Sequence, residues 1–303
     1  MAEITASMVK DLREKTAAGM MDCKKALTAT NGDLEAAVVW LREKGLAAVA
    51  KKAGRIAAEG LVGIVQDGNV AAMVELNCET DFVGKNPDFQ QFVKDLANVT
   101  AKTNPADVEA LKAAALSGKT VQDVLTDKIS TIGENMTIRR LARVDGVVGT
   151  YSHQGGAIGV IVEFNVADAS KASSETMKLL ARDVAMQVAA SSPTILHRDE
   201  ADAAVIETEK NIAREKAKAE GKPEKILEKI AEGAANKWFA DNVLLEQSFV
   251  KDDKLTVLKH VEKIGKELGT EVSIKAMHRF KVGEGLEKRS DDFAAEVAKM
   301  SGV

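Results

Sequence analysis

Aromatic residues are scarce in this chain: 4% of 303 residues, with one Tyr and two Trp. With 45% hydrophobic and 29% charged residues, that is the profile of an ordinary soluble, helix-rich protein. Cysteine is nearly missing too. Cys23 and Cys78 lie in separate regions without ligand-type spacing, which argues against a disulfide framework or a zinc site and makes a reducing cytoplasm the expected setting. A large excess of either sign of charge is absent: the formal net charge is −4 and the pI near 5.8, without the basic field of a general nucleic-acid binder. No apolar run approaches membrane-spanning length, and no signal-peptide or Arg-rich transit pattern stands at the start, so neither membrane nor direct nucleic-acid binding is expected. There is no Walker sequence, dinucleotide fingerprint, nucleophile elbow or His-based zinc motif. The only histidines are His153, His197, His260 and His278. No cofactor and no metal are expected.

What is present is helical and strand periodicity over a length that suits two or three domains. Thr5 can cap a helix carrying Met8, Val9 and Leu12, and Met20 to Leu27 opens a second. Asp33 can cap a third with Leu34, Ala37, Val38 and Leu41 on one face. Three short helices make a minimal bundle of the ubiquitin-associated type. Met20 and Met21 follow Gly19, where flexible thioethers suit an adaptable binding surface or else fill the bundle core. Lys51-Lys52-Ala53-Gly54-Arg55 reads as a basic, solvated linker.

The middle of the chain repeats itself. Gly60-Leu61-Val62-Gly63-Ile64 followed by Met73-Val74-Glu75-Leu76-Asn77 is echoed by Gly146-Val147-Val148-Gly149-Thr150 followed by Ile161-Val162-Glu163-Phe164-Asn165. Each copy runs into an amphipathic helix, marked by Phe89, Phe92, Val93, Leu96 and Val99 in the first and by Met177, Leu180, Val184 and Val188 in the second. Two strands and a helix, twice, predict two related α+β subdomains with antiparallel pairing. The copies differ at the strand exit: Cys78-Glu79-Thr80-Asp81-Phe82 against Val166-Ala167-Asp168-Ala169-Ser170. The scaffold alone therefore does not demand an aromatic there. A carboxylate beside a large aromatic, on a loop between strand and helix, reads as a probe offered to a partner.

Between the copies, Ile132-Gly133 marks a glycine-capped helix end leading into an extended segment. Residues 201–242 are highly charged and helical in composition, broken at Gly221-Lys222-Pro223, which predicts a helical hairpin whose thin apolar stripe suits antiparallel coiling, with another chain or on itself. A helix over Val257–Leu268, a strand from Val272 to Val282, a turn at Gly283-Glu284-Gly285 and a last helix with Phe293, Val297 and Met300 complete the chain. The fold class is α+β: a bundle (1–54), two core subdomains (55–145 and 146–281, the second holding the hairpin) and a C-terminal helical module (282–303). An enzyme can still be written, with Cys78 as nucleophile, His153 as base and Asp81 as orienter, but a strand cysteine is usually a small buried hydrophobe.

The start Met1-Ala2-Glu3-Ile4-Thr5-Ala6, the run Thr16 to Leu27, the stretch Asn77-Cys78-Glu79-Thr80-Asp81-Phe82-Val83, Ile132-Gly133-Glu134-Asn135 and Val282 to Lys288 together resemble translation elongation factor Ts, in that family's order and over essentially the whole chain. The resemblance implies a guanine-nucleotide exchange factor for elongation factor Tu, without covalent chemistry. It implies that Thr80, Asp81, Phe82, Val83 and Gly84 bind the partner, with Asp81 and Phe82 entering a gap between helices of its nucleotide domain and disturbing its magnesium site. Ile132, Gly133, His153, Met20 and Met21 match further contact positions, Phe293 and Val297 fall in a docking C-terminal module, and the hairpin matches an element linked to dimerisation. The family often carries Arg before Ile158-Gly159-Val160, where this chain has Ala157. The reading from another class is a constitutive adaptor or chaperone-like scaffold docking through its helical modules.

Overall fold

The computed structural model describes residues 4–16 and 18–287. It is a mixed helix and strand protein, as the alternating periodicities predict. Three helices come first: α1 (Ala6–Thr16), α2 (Met20–Ala29) and α3 (Leu34–Lys52). The starts of α1 and α3 are chemically marked, since the Thr5 hydroxyl accepts from the Met8 N–H at 3.3 Å and the Asp33 carboxylate from the Glu35 and Ala36 N–H groups at 2.9 and 3.0 Å. Leu12, Cys23, Ala26, Leu27 and Ala37 form the small core. One expectation fails here. The third helix is not short: it runs through Lys51 and Lys52, residues expected in a linker. Tertiary contact carries it onward. Val49 packs on the next core, Arg42 pairs with Asp123 at 2.7 Å and Lys52 donates to the Ile129 carbonyl at 3.4 Å.

The first copy of the repeat supplies β1 (Glu59–Asp67), β2 (Val70–Cys78), a one-turn α4 (Asp81–Gly84) and α5 (Pro87–Thr103). Next come α6 (Val108–Ala113), the two-residue strands β3 (Ala115–Leu116) and β4 (Lys119–Thr120), α7 (Val121–Ile132) and β5 (Met136–Asp145). The sheet order is β1-β2-β5. Asn86 caps α5 with Pro87 at its first turn, and Phe89, Phe92, Val93 and Leu96 enter one core with Leu76, Leu125, Ile129 and Ile138.

The second copy supplies β6 (Val147–His153), β7 (Ile158–Val166) and α8 (Glu175–Ser191), then the hairpin α9 (Ala203–Ala219) and α10 (Leu227–Asn242). The short strands β8 (Ser248–Phe249) and β9 (Asp252–Thr256), α11 (Val257–Leu268) and β10 (Val272–Lys281) follow. Here β6 pairs antiparallel with β7, and the order is β10-β7-β6. Val162, Phe164, Met177, Val184, Val261 and Ile274 lie in its core. By contacts, residues 4–63, 74–141 and 281–287 form one compact unit and 64–73 with 142–280 another. Among the described residues no helix is long and apolar enough to cross a membrane.

The repeated glycines have a shared physical cause. Gly60 and Gly146 sit at φ +134° and +147°, a conformation that L side chains rarely adopt. At Gly63 a Cβ would stand 2.6 Å from the Val93 carbonyl oxygen on α5, and at Gly149 one would stand 2.2 Å from the Ala181 carbonyl oxygen on α8. In both copies the second glycine lets the helix backbone lie directly on the strand.

Candidate partner-binding site

Strand β2 is buried from Ala71 to Cys78, and the chain leaves it through Glu79 and Thr80. Where the sequence suggested a loop, the structure has the single helical turn α4. Thr80 stands at its N-cap with extended backbone, but its hydroxyl does not cap the turn. It donates instead to Glu134 Oε1 at 2.6 Å, while Glu134 Oε2 accepts from the Glu79 and Thr80 N–H groups at 3.1 and 3.0 Å. Glu79 reciprocates, since its Oε1 accepts from the Asn135 N–H at 2.6 Å and from Arg55 Nη1 at 3.4 Å.

On this turn, the first two residues and the last two have opposite fates. Val83 enters the core and Gly84 is buried, whereas Asp81 and Phe82 face out. Phe82 is 77% exposed, a large apolar area held in water. Lys85 Nζ donates to Asp81 Oδ2 at 2.6 Å and lies 5.4 Å from the Phe82 ring centre. That hydrogen bond from Lys85 holds the Asp81 carboxyl below the usual range, so the site presents an anion, a ring and a cation together. This exposed i,i+4 pair adds only a little to the stability of the turn.

Helix α7 ends at Ile132, half-buried against the same core, and Gly133 closes it at φ +90° with its N–H on the Ile129 carbonyl at 3.0 Å. Gly133 is exposed, and Glu134, the next residue, reaches to Thr80. The structure thus brings Phe82 and the Ile132-Gly133 cap into one hydrogen-bonded assembly. Met20 and Met21 open α2 and are 59% and 64% exposed, so they do not fill the bundle core. His153, in the other unit, is the last residue of β6, opposite Ile158. Its ring stacks with Tyr151 at 6.1 Å, above a turn in which Gln154, Gly155 and Gly156 all have positive φ. Phe293, Val297 and the rest of the expected last helix lie outside the described residues.

The nucleophile reading does not survive the geometry. Cys78 is fully buried and its thiol donates to the Thr80 carbonyl at 3.1 Å. Burial, aided by the Glu134 charge, pushes its pKa up to about 12, so the reactive thiolate is suppressed at neutral pH.

Sequence reasoning missed three carboxylates. Glu79 and Glu134 lay inside motifs already singled out, but nothing in one chain pairs position 79 with 134. Glu75, fully buried in β2, accepts from Arg139 Nη1 at 3.1 Å, Arg140 Nε at 2.6 Å and the Gly283 N–H at 2.9 Å. Burial alone would raise its pKa; the Gly283 and Arg140 hydrogen bonds with the Arg140 charge outweigh it and leave the group below the usual range. The Gly283 turn is therefore a pin on the sheet, and its φ of +67°, with the Ala58 carbonyl 2.1 Å from where a Cβ would be, requires glycine.

The elongation factor Ts family model matches residues 79–284. The chain is 53% identical over 304 residues to elongation factor Ts of Syntrophotalea carbinolica, covering 99% of each chain. It is 48% identical over 308 residues to that of Trichlorobacter lovleyi, again 99% of each, and 49% identical over 312 residues to that of Sphingopyxis alaskensis, over the full length of both. A family model spanning the exposed Asp81-Phe82 turn and its Glu134 tie, with relatives this similar from end to end, shows that the chain belongs to the elongation factor Ts family.

Proposed function

We propose that this chain is a guanine-nucleotide exchange factor of translation elongation that promotes GDP release from elongation factor Tu by binding, without covalent chemistry, in the cytoplasm. The observation that carries it is Phe82: a large ring, mostly in water, fixed on a short turn beside an anionic Asp81. A monomeric fold gains nothing from exposing it. Burying the ring in a partner would yield about 1.5–3 kcal/mol. Asp81 is free to leave Lys85 at small cost, because exposed ion pairs contribute little.

The mechanism follows from linkage. A factor that binds the nucleotide-free partner better than the GDP-bound one weakens GDP binding by the same factor. It needs no phosphate loop, only anchors that fit the distorted state: Phe82 as a wedge between helices of the nucleotide domain, and Asp81 competing near the magnesium and phosphates. Met20, Met21, Ile132, Gly133 and His153 supply further contacts, and Thr80, Val83 and Gly84 hold the wedge. The hairpin, whose α9 and α10 pack on each other through Ala217, Leu227, Ala231 and Ala235 while Val205 and Ile212 stay exposed, offers its outer stripe to a second copy. Stopped-flow release of a fluorescent GDP analogue from elongation factor Tu tests the reading, with acceleration expected on adding the chain. Stoichiometric binding without acceleration would favour the adaptor.

A further inference from the structure

From the geometry we infer that Glu134 is a positioning residue for exchange: it fixes the direction in which Phe82 and Asp81 project, and locks them in register with the Ile132-Gly133 cap. The inference rests on the exchange reading. An isolated helical turn of four residues has no stability of its own, and α4 lacks a side-chain cap because the Thr80 hydroxyl is turned away to Glu134. On one side Val83 anchors the turn in the core. On the other, the entry to the turn is held by three hydrogen bonds, all to one carboxylate: Glu79 N–H, Thr80 N–H and Thr80 Oγ1 at 3.1, 3.0 and 2.6 Å. Glu134 is attached to the C-terminal cap of α7, so the same residue ties both exposed segments. The return contact from Glu79 to the Asn135 N–H makes the tie two-sided. A wedge that must enter a narrow gap gains affinity by being ordered beforehand, since a site populated only in part binds with its affinity reduced by that fraction.

Glu134→Ala removes all three acceptor contacts. Glu134→Gln keeps one oxygen for the two N–H groups and an amide that can donate to the Thr80 hydroxyl, so it should restore the hold without the charge. With elongation factor Tu and a fluorescent GDP analogue, Glu134→Ala is expected to raise the half-saturating concentration about tenfold, as for a turn ordered about a tenth of the time. The release rate at saturation stays within about twofold, and Glu134→Gln stays close to wild type. Thr80→Val, which deletes one donor on a half-buried surface, should show a smaller shift of the same kind and serves if Glu134→Ala does not fold. Hydrogen exchange of the Glu79–Lys85 amides provides a readout without the partner, with protection lost in Glu134→Ala and kept in Glu134→Gln. Unchanged half-saturation together with unchanged protection overturns the inference. So does equal impairment of the Ala and Gln variants, which would mean that the charge itself meets the partner. If wild type does not accelerate release, the exchange reading fails, and the amide protection alone still decides whether Glu134 holds the turn.

Discussion

Phe82 and Val83 are neighbours with opposite energetic roles, and the difference is measurable. Val83 belongs to the core, whereas Phe82 is already in water. Truncating a core phenylalanine costs about 3–5 kcal/mol, so Phe82→Ala is expected to leave the thermal midpoint nearly unchanged while severely cutting acceleration of nucleotide release. A variant that melts far earlier yet exchanges at the wild-type rate would contradict the wedge. Asp81→Ala should also slow exchange, and its deficit should shrink when Mg²⁺ is chelated first, because the metal that the carboxylate is proposed to disturb is then gone. An Asp81→Ala deficit that is the same with and without chelator would remove the metal from the mechanism.

Among the elements, the two hairpin-and-helix copies succeed by the same device. Gly149 has the Ala181 backbone against its α-carbon, so Gly149→Ala must push α8 off the sheet. Overpacking of this kind costs about 1–3 kcal/mol, and chemical denaturation should show a loss at least that large; a neutral result would mean that the helix shifts freely. The α9–α10 hairpin is the opposite case: its small buried residues close on themselves, and Arg214 bridges the arms to Glu228 at 2.8 Å. Replacing residues 201–242 by a short Gly/Ser linker is expected to abolish self-association and leave most of the exchange activity. Unchanged mass in solution, or a folded monomer without exchange, would count against the proposed role.

For the molecule as a whole, stability should fall steadily on acidification. Burial lowers the pKa of His260 and His278 in the fold. Below about pH 6.5 the unfolded chain takes up protons that these two histidines resist when folded, which favours unfolding. The depressed Glu75 adds a second loss at lower pH. Its contribution is complete above the ordinary glutamate value of about 4.3 and disappears as pH falls through the lowered folded value. Thermal midpoints should therefore decline from pH 7.5 to 5.5 and drop more steeply below the carboxylate range, with the first slope flattened in a His260→Gln, His278→Gln variant. A flat profile to pH 5 would refute the histidine assignment, and the absence of a further loss below about pH 4.3 would refute that of Glu75. Local periodicity and turn chemistry determined the helices, strands, caps and the repeat, because those signals act over a few residues: Asp33 and Gly133 read correctly as helix boundaries. The sequence also determined that Phe82 was not required by the scaffold, since the second copy lacks an aromatic there. Tertiary structure alone decided that α3 runs on to Lys52, that Asp81–Gly84 coils, and that Glu75, Glu79 and Glu134 carry the buried and half-buried ties. Each depends on a partner tens of residues away, and a carboxylate's position in the chain does not say which distant N–H or guanidinium will reach it.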